Sequence, residues 1–168
     1  RNIKGHVFPG KMEEAEAGQM VAELREGLSG LGLSYRDLSR STDAYRRGLA
    51  ERRVLNSGLA KKTSPMGLFL SENESESILL CGDDHIRIQC IQGGLAFRST
   101  WDQANLTDDW ISKRFPYAFD QKYGYLTAFP TNVGTGLRAC VLLHLPVISN
   151  SKQFRSLMDE AKRIGISI

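Results

Sequence analysis

The sequence of 168 residues is short of the features that mark several protein classes. Its three cysteines, Cys81, Cys90 and Cys140, include no C-x-x-C pair, which argues against a disulfide framework or a zinc site and favours a reducing compartment. No apolar run approaches the ~18–20 residues of a membrane helix, and no signal-peptide segment is present. The net charge of +3 is too small to mark a nucleic-acid binder. We therefore expect a cytoplasmic protein without nucleic-acid or membrane partners.

The composition and the apolar spacing predict one α+β domain over residues 1–168. Hydrophobic residues make up 41% and charged residues 24% of the chain, as in ordinary globular proteins. Helical spacing covers residues 13–28, 42–55 and 151–164, and Thr107 could cap a further helix through Ile111. The predicted strands are residues 68–73, 77–82, 85–91, 124–129 and 137–145. Helices toward both ends and consecutive strands between them indicate a mainly antiparallel sheet edged by helices.

The segment GDDHIRIQC, residues 82–90, alternates polar and apolar side chains. In a strand, this alternation would place Asp83, His85, Arg87 and Gln89 on one face and the apolar side chains on the other. A row of carboxylate, imidazole, guanidinium and amide groups could take part in catalysis or ligand binding. An ordinary solvent-exposed face of an antiparallel sheet explains it equally well.

The segment NVGTGLR, residues 132–138, places a glycine-rich loop before an arginine. Such a loop can aim several backbone N–H groups at an anion, although a long hairpin turn would have a similar composition. In a strand after the loop, Arg138 would share a face with Cys140 and His144. Two strands that each carry an arginine, Arg87 and Arg138, favour a cationic trough, because guanidinium groups bind phosphate oxygens in bidentate fashion.

The second predicted helix carries several arginines. They are Arg46, Arg47, Arg52 and Arg53. A solvated helix face is the simpler interpretation, and an interaction surface for a partner protein is the alternative.

The long segment GYLTAFPTNVGTGLRACVLLHLP, residues 124–146, resembles the signature of the ATP:guanidino phosphotransferases. DDHIRIQC, LFLSENESES, TDDWISKRFPYAFDQKYGYLT and RNIKGHVFP resemble other segments of the same family in the same order. Within the family, the chain looks closest to the bacterial protein arginine kinases. The resemblance covers essentially the whole chain.

The resemblance implies a glutamine synthetase-like catalytic fold, ATP with Mg²⁺ as the phosphoryl donor, and a guanidinium acceptor on a protein arginine. It places Asp83 at the carboxylate that orients and deprotonates the guanidinium, supported by Asp84 and His85. It assigns ATP contacts to Arg53, Arg87, Arg138, Ala139, Cys140, Val141 and Leu142. It assigns a loop near the transferring group to Thr131, Asn132, Val133, Gly134 and Thr135.

The chain also departs from the family pattern. Cys81, Gly82 and Asp83 stand where the family usually has Asn, Glu and Glu, and Phe129 replaces a cysteine. The resemblance further implies that an upstream arginine run and a downstream R-G-x-x-G-E loop lie outside the 168 residues, so that the catalytic domain is incomplete at both ends. A kinase is the favoured prediction. The alternative is a catalytically degenerate pseudokinase that binds nucleotide, phosphoarginine or a partner protein.

The resemblance implies further properties of the whole protein. It suggests protein substrates bearing arginine, a small zinc-binding activator protein and a role in the stress response. A homodimer is also compatible with the resemblance.

Overall fold

A computed structural model describes residues 1–166, which form two compact units. The first unit is Arg1–Arg138, and the second begins at Ala139. Within residues 1–166, none of the helices combines the length and the apolar character needed to cross a membrane.

The first unit combines helices with a four-stranded sheet and a small two-stranded sheet. Its helices are α1 (Glu14–Leu28), α2 (Asp43–Glu51), α3 (Ser57–Ala60) and α4 (Phe97–Ser112). Its strands are β1 (Ser34–Asp37), β2 (Gly67–Leu70), β3 (Glu76–Leu80), β4 (Ile86–Cys90), β5 (Phe119–Asp120) and β6 (Gly124–Tyr125). Short 3₁₀ turns cover Pro9–Lys11, Ser29–Leu31 and Pro130–Asn132. The α+β prediction is confirmed.

The four-stranded sheet is antiparallel throughout, in the order β1-β2-β3-β4. Strands β2 and β3 correspond to two predicted strands and pair as a hairpin, with Phe69 opposite Ile78 and Leu68 opposite Leu79. Both strands are almost entirely buried because each sheet face packs on a separate apolar cluster. This two-sided burial explains why neither strand alternates polar and apolar residues.

One face of the sheet packs against α1. The five apolar positions that predicted this helix are all buried: Ala17, Met20, Val21, Leu24 and Leu28. Four of them share a cluster with Phe69, Ile78 and Ile86 of the sheet and with Ile111 of α4. The opposite face packs on a second cluster. It contains Leu38, Leu49, Leu55, Leu59, Leu68 and Leu79.

Helix α2 begins as predicted but ends earlier. The Thr42 side chain caps it by accepting a hydrogen bond from the Tyr45 N–H. The helix ends at Glu51 rather than Leu55 because Arg53 adopts a left-handed backbone conformation, with φ of 66°. Asn56 then caps the separate helix α3.

The arginines of this region do not share one solvated face. The Arg46 side chain is only 11% exposed and donates to the Lys62 carbonyl oxygen and to Asp43. Arg52 pairs with Glu74. Arg53 lies beyond the helix. The prediction of a single basic face is therefore wrong, because the helix ends within the run and the Arg46 side chain is largely buried.

The predicted capping role of Thr107 is wrong. Helix α4 starts ten residues earlier, at Phe97, and Thr107 is buried inside it. The Thr107 hydroxyl contacts the Glu76 carboxylate of β3, so it links the helix to the sheet rather than to the helix terminus.

The two strands predicted around the glycine-rich loop are largely absent. Only Gly124–Tyr125 of the first is a strand, paired with β5. Residues 137–145 form no strand, and apolar side chains such as Leu142 and Leu143 are exposed. The apolar composition of this segment predicts a strand, but no strand among residues 1–166 pairs with it.

The second unit contains α5 (Pro146–Ser149) and α6 (Phe154–Arg163). Helix α6 corresponds to the predicted helix 151–164. Gly165 follows it with φ of 85°, as expected of a glycine that ends a helix.

His85 precedes β4 and does not share a solvated face with Arg87. Its ring is fully buried, so that part of the predicted alternation is wrong. Nδ1 accepts a hydrogen bond from the Ile3 N–H at 3.0 Å, so Nε2 carries the proton and donates to the Val7 carbonyl oxygen at 3.0 Å. Burial lowers the pKa of His85 to about 4 from its ordinary 6.5, and the nearby His6 contributes in the same direction.

We expect acid to destabilise the fold through His85. The folded protein holds the ring neutral, whereas the unfolded chain takes up its proton below its ordinary pKa of 6.5. Stability contributed by the neutral ring is therefore lost as the pH falls from 6.5 to about 4, by at most about 1.4 kcal/mol per pH unit. Urea unfolding across this range should show a shallower dependence in His85→Gln, which cannot take up this proton. Equal pH slopes in the two proteins would contradict the assignment.

Candidate active site

The turn between β3 and β4 presents Asp83. Cys81 opens the turn with φ of 53°, and its N–H donates to the His85 carbonyl oxygen. Gly82 fits because a Cβ there would lie 2.7 Å from Leu79 Cδ2. The Lys62 ammonium donates to the carbonyl oxygens of Cys81, at 3.1 Å, and Gly82, at 2.7 Å. These contacts fix the backbone immediately before the half-buried Asp83.

Asp84 points to a different set of partners. Its Oδ1 accepts hydrogen bonds from Asn2 Nδ2 at 2.6 Å and from the Ala128 N–H at 2.7 Å. The carboxylate therefore ties the turn to the segment that leads into the glycine-rich loop.

Strand β4 brings Arg87 and Gln89 onto one face, as the alternation predicts. Arg87 Nη2 donates to the Val54 carbonyl oxygen at 2.6 Å, and Gln89 Nε2 donates to the Arg53 carbonyl oxygen at 2.8 Å. Both side chains thus hold the segment after α2 against the sheet. The structure thereby brings the backbone of Arg53 next to the face that carries Arg87.

The guanidinium of Arg87 has an unused donor. Its Nε is buried and has no hydrogen-bond partner among the described residues. Burial lowers the pKa of Arg87, and the Asp83 carboxylate opposes this shift. Because a buried donor without a partner is costly, an anion that reaches Nε would be stabilised by both hydrogen bonding and charge.

Most backbone N–H groups of the glycine-rich loop donate to carbonyl oxygens in or next to the loop. The Asn132 and Val133 N–H groups donate within the 3₁₀ turn, Gly134 pairs with Tyr125 in both directions, and the Gly136 N–H donates to Asn132. Four of the loop's N–H groups are therefore satisfied internally. The prediction that the loop aims several N–H groups at an anion is wrong for these four.

Glycines allow the loop to lie against β6. Gly124 and Gly134 have φ of 79° and 112°, and a Cβ on Gly124 would lie 2.6 Å from the Gly134 carbonyl oxygen. Thr131, Val133 and Thr135 are exposed, as is the neighbouring Phe129. The loop thus presents side chains, rather than a row of N–H groups, to solvent.

The remaining predicted ligands are exposed. Arg138 is the last residue of the first unit and makes no hydrogen bond or ion pair among the described residues. Residues 139–142 belong to the second unit and are exposed and without regular structure. The predicted two-strand trough depends on a strand after the loop, and that strand is absent from residues 1–166.

Sequence reasoning missed four residues that shape the site. They are Arg1, Asn2, Lys62 and Asp108. Each acts through a partner far along the chain, such as Lys62 on the Cys81 carbonyl or Asn2 on Asp84. No local pattern signals such pairs, so only the folded arrangement reveals them.

The sequence is similar to those of bacterial protein-arginine kinases. The Bacillus subtilis (strain 168) protein-arginine kinase is 36% identical over all of this chain and 48% of its own length. The Caldanaerobacter subterraneus subsp. tengcongensis protein-arginine kinase is 32% identical over all of this chain and 52% of its own length. The chain therefore spans about half the length of these curated relatives.

Solved structures show the same fold. The duplicated taurocyamine kinase of Schistosoma mansoni, solved with bound transition state analogue components, matches with a TM-score of 0.82 and 26% identity over 95% of this chain and 24% of that one. Lombricine kinase matches with a TM-score of 0.77 and 22% identity over 95% of this chain and 49% of that one. The family model for the C-terminal catalytic domain of ATP:guanido phosphotransferases matches residues 16–168. The chain belongs to the ATP:guanido phosphotransferase family.

Proposed function

We propose that this chain carries out ATP-dependent phosphoryl transfer to a guanidinium group, with arginine side chains of proteins as acceptors. The observation that carries the proposal is the buried Arg87 guanidinium, whose Nε has no partner among the described residues and which lies within the electrostatic influence of Asp83. The names of the protein-arginine kinase relatives support arginine as the acceptor.

Arg87 would bind a phosphate of ATP. The Nη2 group of the guanidinium donates to the Val54 carbonyl oxygen. This contact fixes the orientation of the guanidinium and leaves Nε for a phosphate oxygen. The exposed Arg138 and the side chain of Arg53 would add positive charge. The backbone of residues 139–142 would line the nucleotide. Positioning and charge neutralisation dominate phosphoryl transfer, and arginines supply both.

Asp83 would orient and deprotonate the acceptor. A guanidinium nitrogen forms a bond to the γ-phosphorus while the bond from that phosphorus to the bridging oxygen of ADP breaks. The electron pair of the broken bond leaves with ADP, and the proton of the attacking nitrogen passes to the Asp83 carboxylate. Lys62 fixes the two carbonyl groups before Asp83, so the carboxylate starts from a defined position.

The loop of residues 131–135 would lie beside the transferring group. The Ala128 N–H bonds Asp84, the neighbour of Asp83, so the start of the loop is tied to the proposed catalytic turn. Phe129 and the exposed threonines of the loop would then face the acceptor side.

ATP fits the donor groups of the site. Arg87 Nε, buried and without a hydrogen-bond partner among the described residues, suits a phosphate oxygen. Among residues 1–166, no cluster of three or more metal-ligating side chains occurs. We assign Mg²⁺ to the phosphates of the nucleotide, since proteins commonly hold this ion through substrate phosphates and one or two carboxylates. The ion would neutralise phosphate charge.

The proposal extends to the cellular setting of the protein. A cytoplasmic location, a role in the stress response, a small zinc-binding activator and a homodimer are all consistent with membership in this family. None of them is needed for the chemistry at Asp83 and Arg87.

Replacing Arg87 with lysine should weaken ATP binding. Arg87→Lys keeps the charge but removes the planar donor group, so we expect a loss of about tenfold or more in ATP affinity, the range of one charge-assisted hydrogen bond. Isothermal titration with Mg-ATP measures the change. Arg40→Lys is the matched control, because the Arg40 side chain is 89% exposed. Equal affinities in the two variants would count against Arg87 as a phosphate ligand.

Replacing Asp83 with asparagine should stop the chemistry and spare binding. We expect phosphoarginine formation on casein to fall by about 10²-fold or more in Asp83→Asn, with ATP affinity little changed, because the carboxylate acts on the acceptor. Mass spectrometry at neutral pH preserves the acid-labile product. The exposed Asp102→Asn serves as the control. If neither the variant nor the unaltered protein forms phosphoarginine but both bind ATP, the protein is a pseudokinase.

A further inference from the structure

The Arg1 side chain lies between helix α4 and the end of the glycine-rich loop. Its Nε contacts both Asp108 carboxylate oxygens, at 3.1 and 3.2 Å, and Nη2 contacts Asp108 Oδ2 at 2.7 Å. Its Nη1 donates to the Thr135 carbonyl oxygen at 2.7 Å. The two side chains are only 14% and 16% exposed, so the pair is shielded from water and from screening.

The same guanidinium packs on an aromatic ring and on a glycine. Its carbon lies 3.7 Å from the centre of the Tyr125 ring, the residue that pairs with Gly134. A Cβ on Gly136 would lie 2.6 Å from Arg1 Nη1, so a larger residue would displace the guanidinium. One cation thus contacts α4, β6 and the loop together.

The loop is therefore fixed at both ends. In the segment that leads into it, the Ala128 N–H bonds Asp84 beside the proposed catalytic carboxylate. At its end, the Thr135 carbonyl oxygen bonds Arg1, which Asp108 holds in place. The loop's own internal hydrogen bonds make it stiff between these anchors. Moving the second anchor would tilt the loop relative to Asp83.

We propose that Arg1 and Asp108 form a positioning pair that sets the glycine-rich loop relative to Asp83 for phosphoryl transfer. This inference rests on the proposed function of the site. Neither residue touches the reacting atoms: Asp108 orients the Arg1 guanidinium, and Arg1 fixes the loop backbone. The pair is distinct from Arg87, whose Nε has no hydrogen-bond partner within residues 1–166 and suits it to bind a ligand.

Asp108→Asn tests the positioning pair, and the same substitution at the next residue serves as the control. The substitution removes the charge that holds Arg1 but preserves the size of the side chain. Asp109→Asn is the matched control, because Asp109 is the next residue on α4, is exposed and contacts Asn105 rather than the loop. Amide hydrogen exchange of Gly134 and Gly136, read by NMR, reports the loop directly.

In Asp108→Asn we expect the Gly134 and Gly136 amides to exchange about tenfold faster or more, with β3 amides unchanged. The kcat should fall by about 10–100-fold, with the KM for Mg-ATP little changed, because a displacement of about 1 Å at a reacting group can cost that much. Asp108→Glu, which keeps the charge, should recover part of the kcat. Asp109→Asn should leave exchange and kcat unaltered.

Loop exchange equal in the two asparagine variants would overturn the proposal, and so would faster loop exchange with an unchanged kcat. If Asp108→Asn does not fold, Tyr125→Leu removes the ring under Arg1 and should produce the same pattern of exchange. Exchange needs no turnover. A protein that transfers no phosphoryl group would therefore overturn the proposed function, while the exchange result would still decide whether Arg1 and Asp108 fix the loop.

Discussion

The buried side chain of Asn2 joins three parts of the chain that are far apart in sequence. Asn2 is 1% exposed; its Oδ1 accepts from the His85 N–H, and its Nδ2 donates to Asp84 and to the Leu126 carbonyl oxygen. Its own carbonyl oxygen accepts from the Ala118 N–H. A buried amide with these partners is costly to remove, because each partner would lose its hydrogen bond. The turn that carries Asp83 and the segment before the loop therefore share one anchor.

Arg1 and Arg87 differ in role because their guanidinium groups have different hydrogen-bond partners. The Arg1 guanidinium is enclosed by Asp108, a carbonyl oxygen and an aromatic ring, so its hydrogen-bonding capacity serves the architecture. The Arg87 guanidinium uses Nη2 to fix its orientation and keeps Nε without a partner among the described residues. The first arrangement positions backbone, and the second is suited to receive an anion.

Local patterns were enough to predict part of this molecule. The spacing of α1 and the common face of Arg87 and Gln89 follow from periodicity, and the β2–β3 pair follows from two short apolar runs around a polar turn. His85 was misplaced because the turn at Cys81 interrupts the alternation, and its burial depends on distant partners such as Val7. The apolar composition of residues 137–145 predicts a strand, but a strand also needs a partner strand, and none pairs with them among residues 1–166. The segment of residues 124–146 indicated the family, which periodicity could not.

A crystal structure with Mg²⁺ and a non-hydrolysable ATP analogue tests the central claim most directly. Our account predicts a phosphate oxygen about 2.9 Å from Arg87 Nε, with the Arg87 contact to the Val54 carbonyl oxygen retained. Asp83 should then face the γ-phosphate across a gap wide enough for a guanidinium. A nucleotide bound elsewhere, with Arg87 Nε still lacking a partner, would contradict the account.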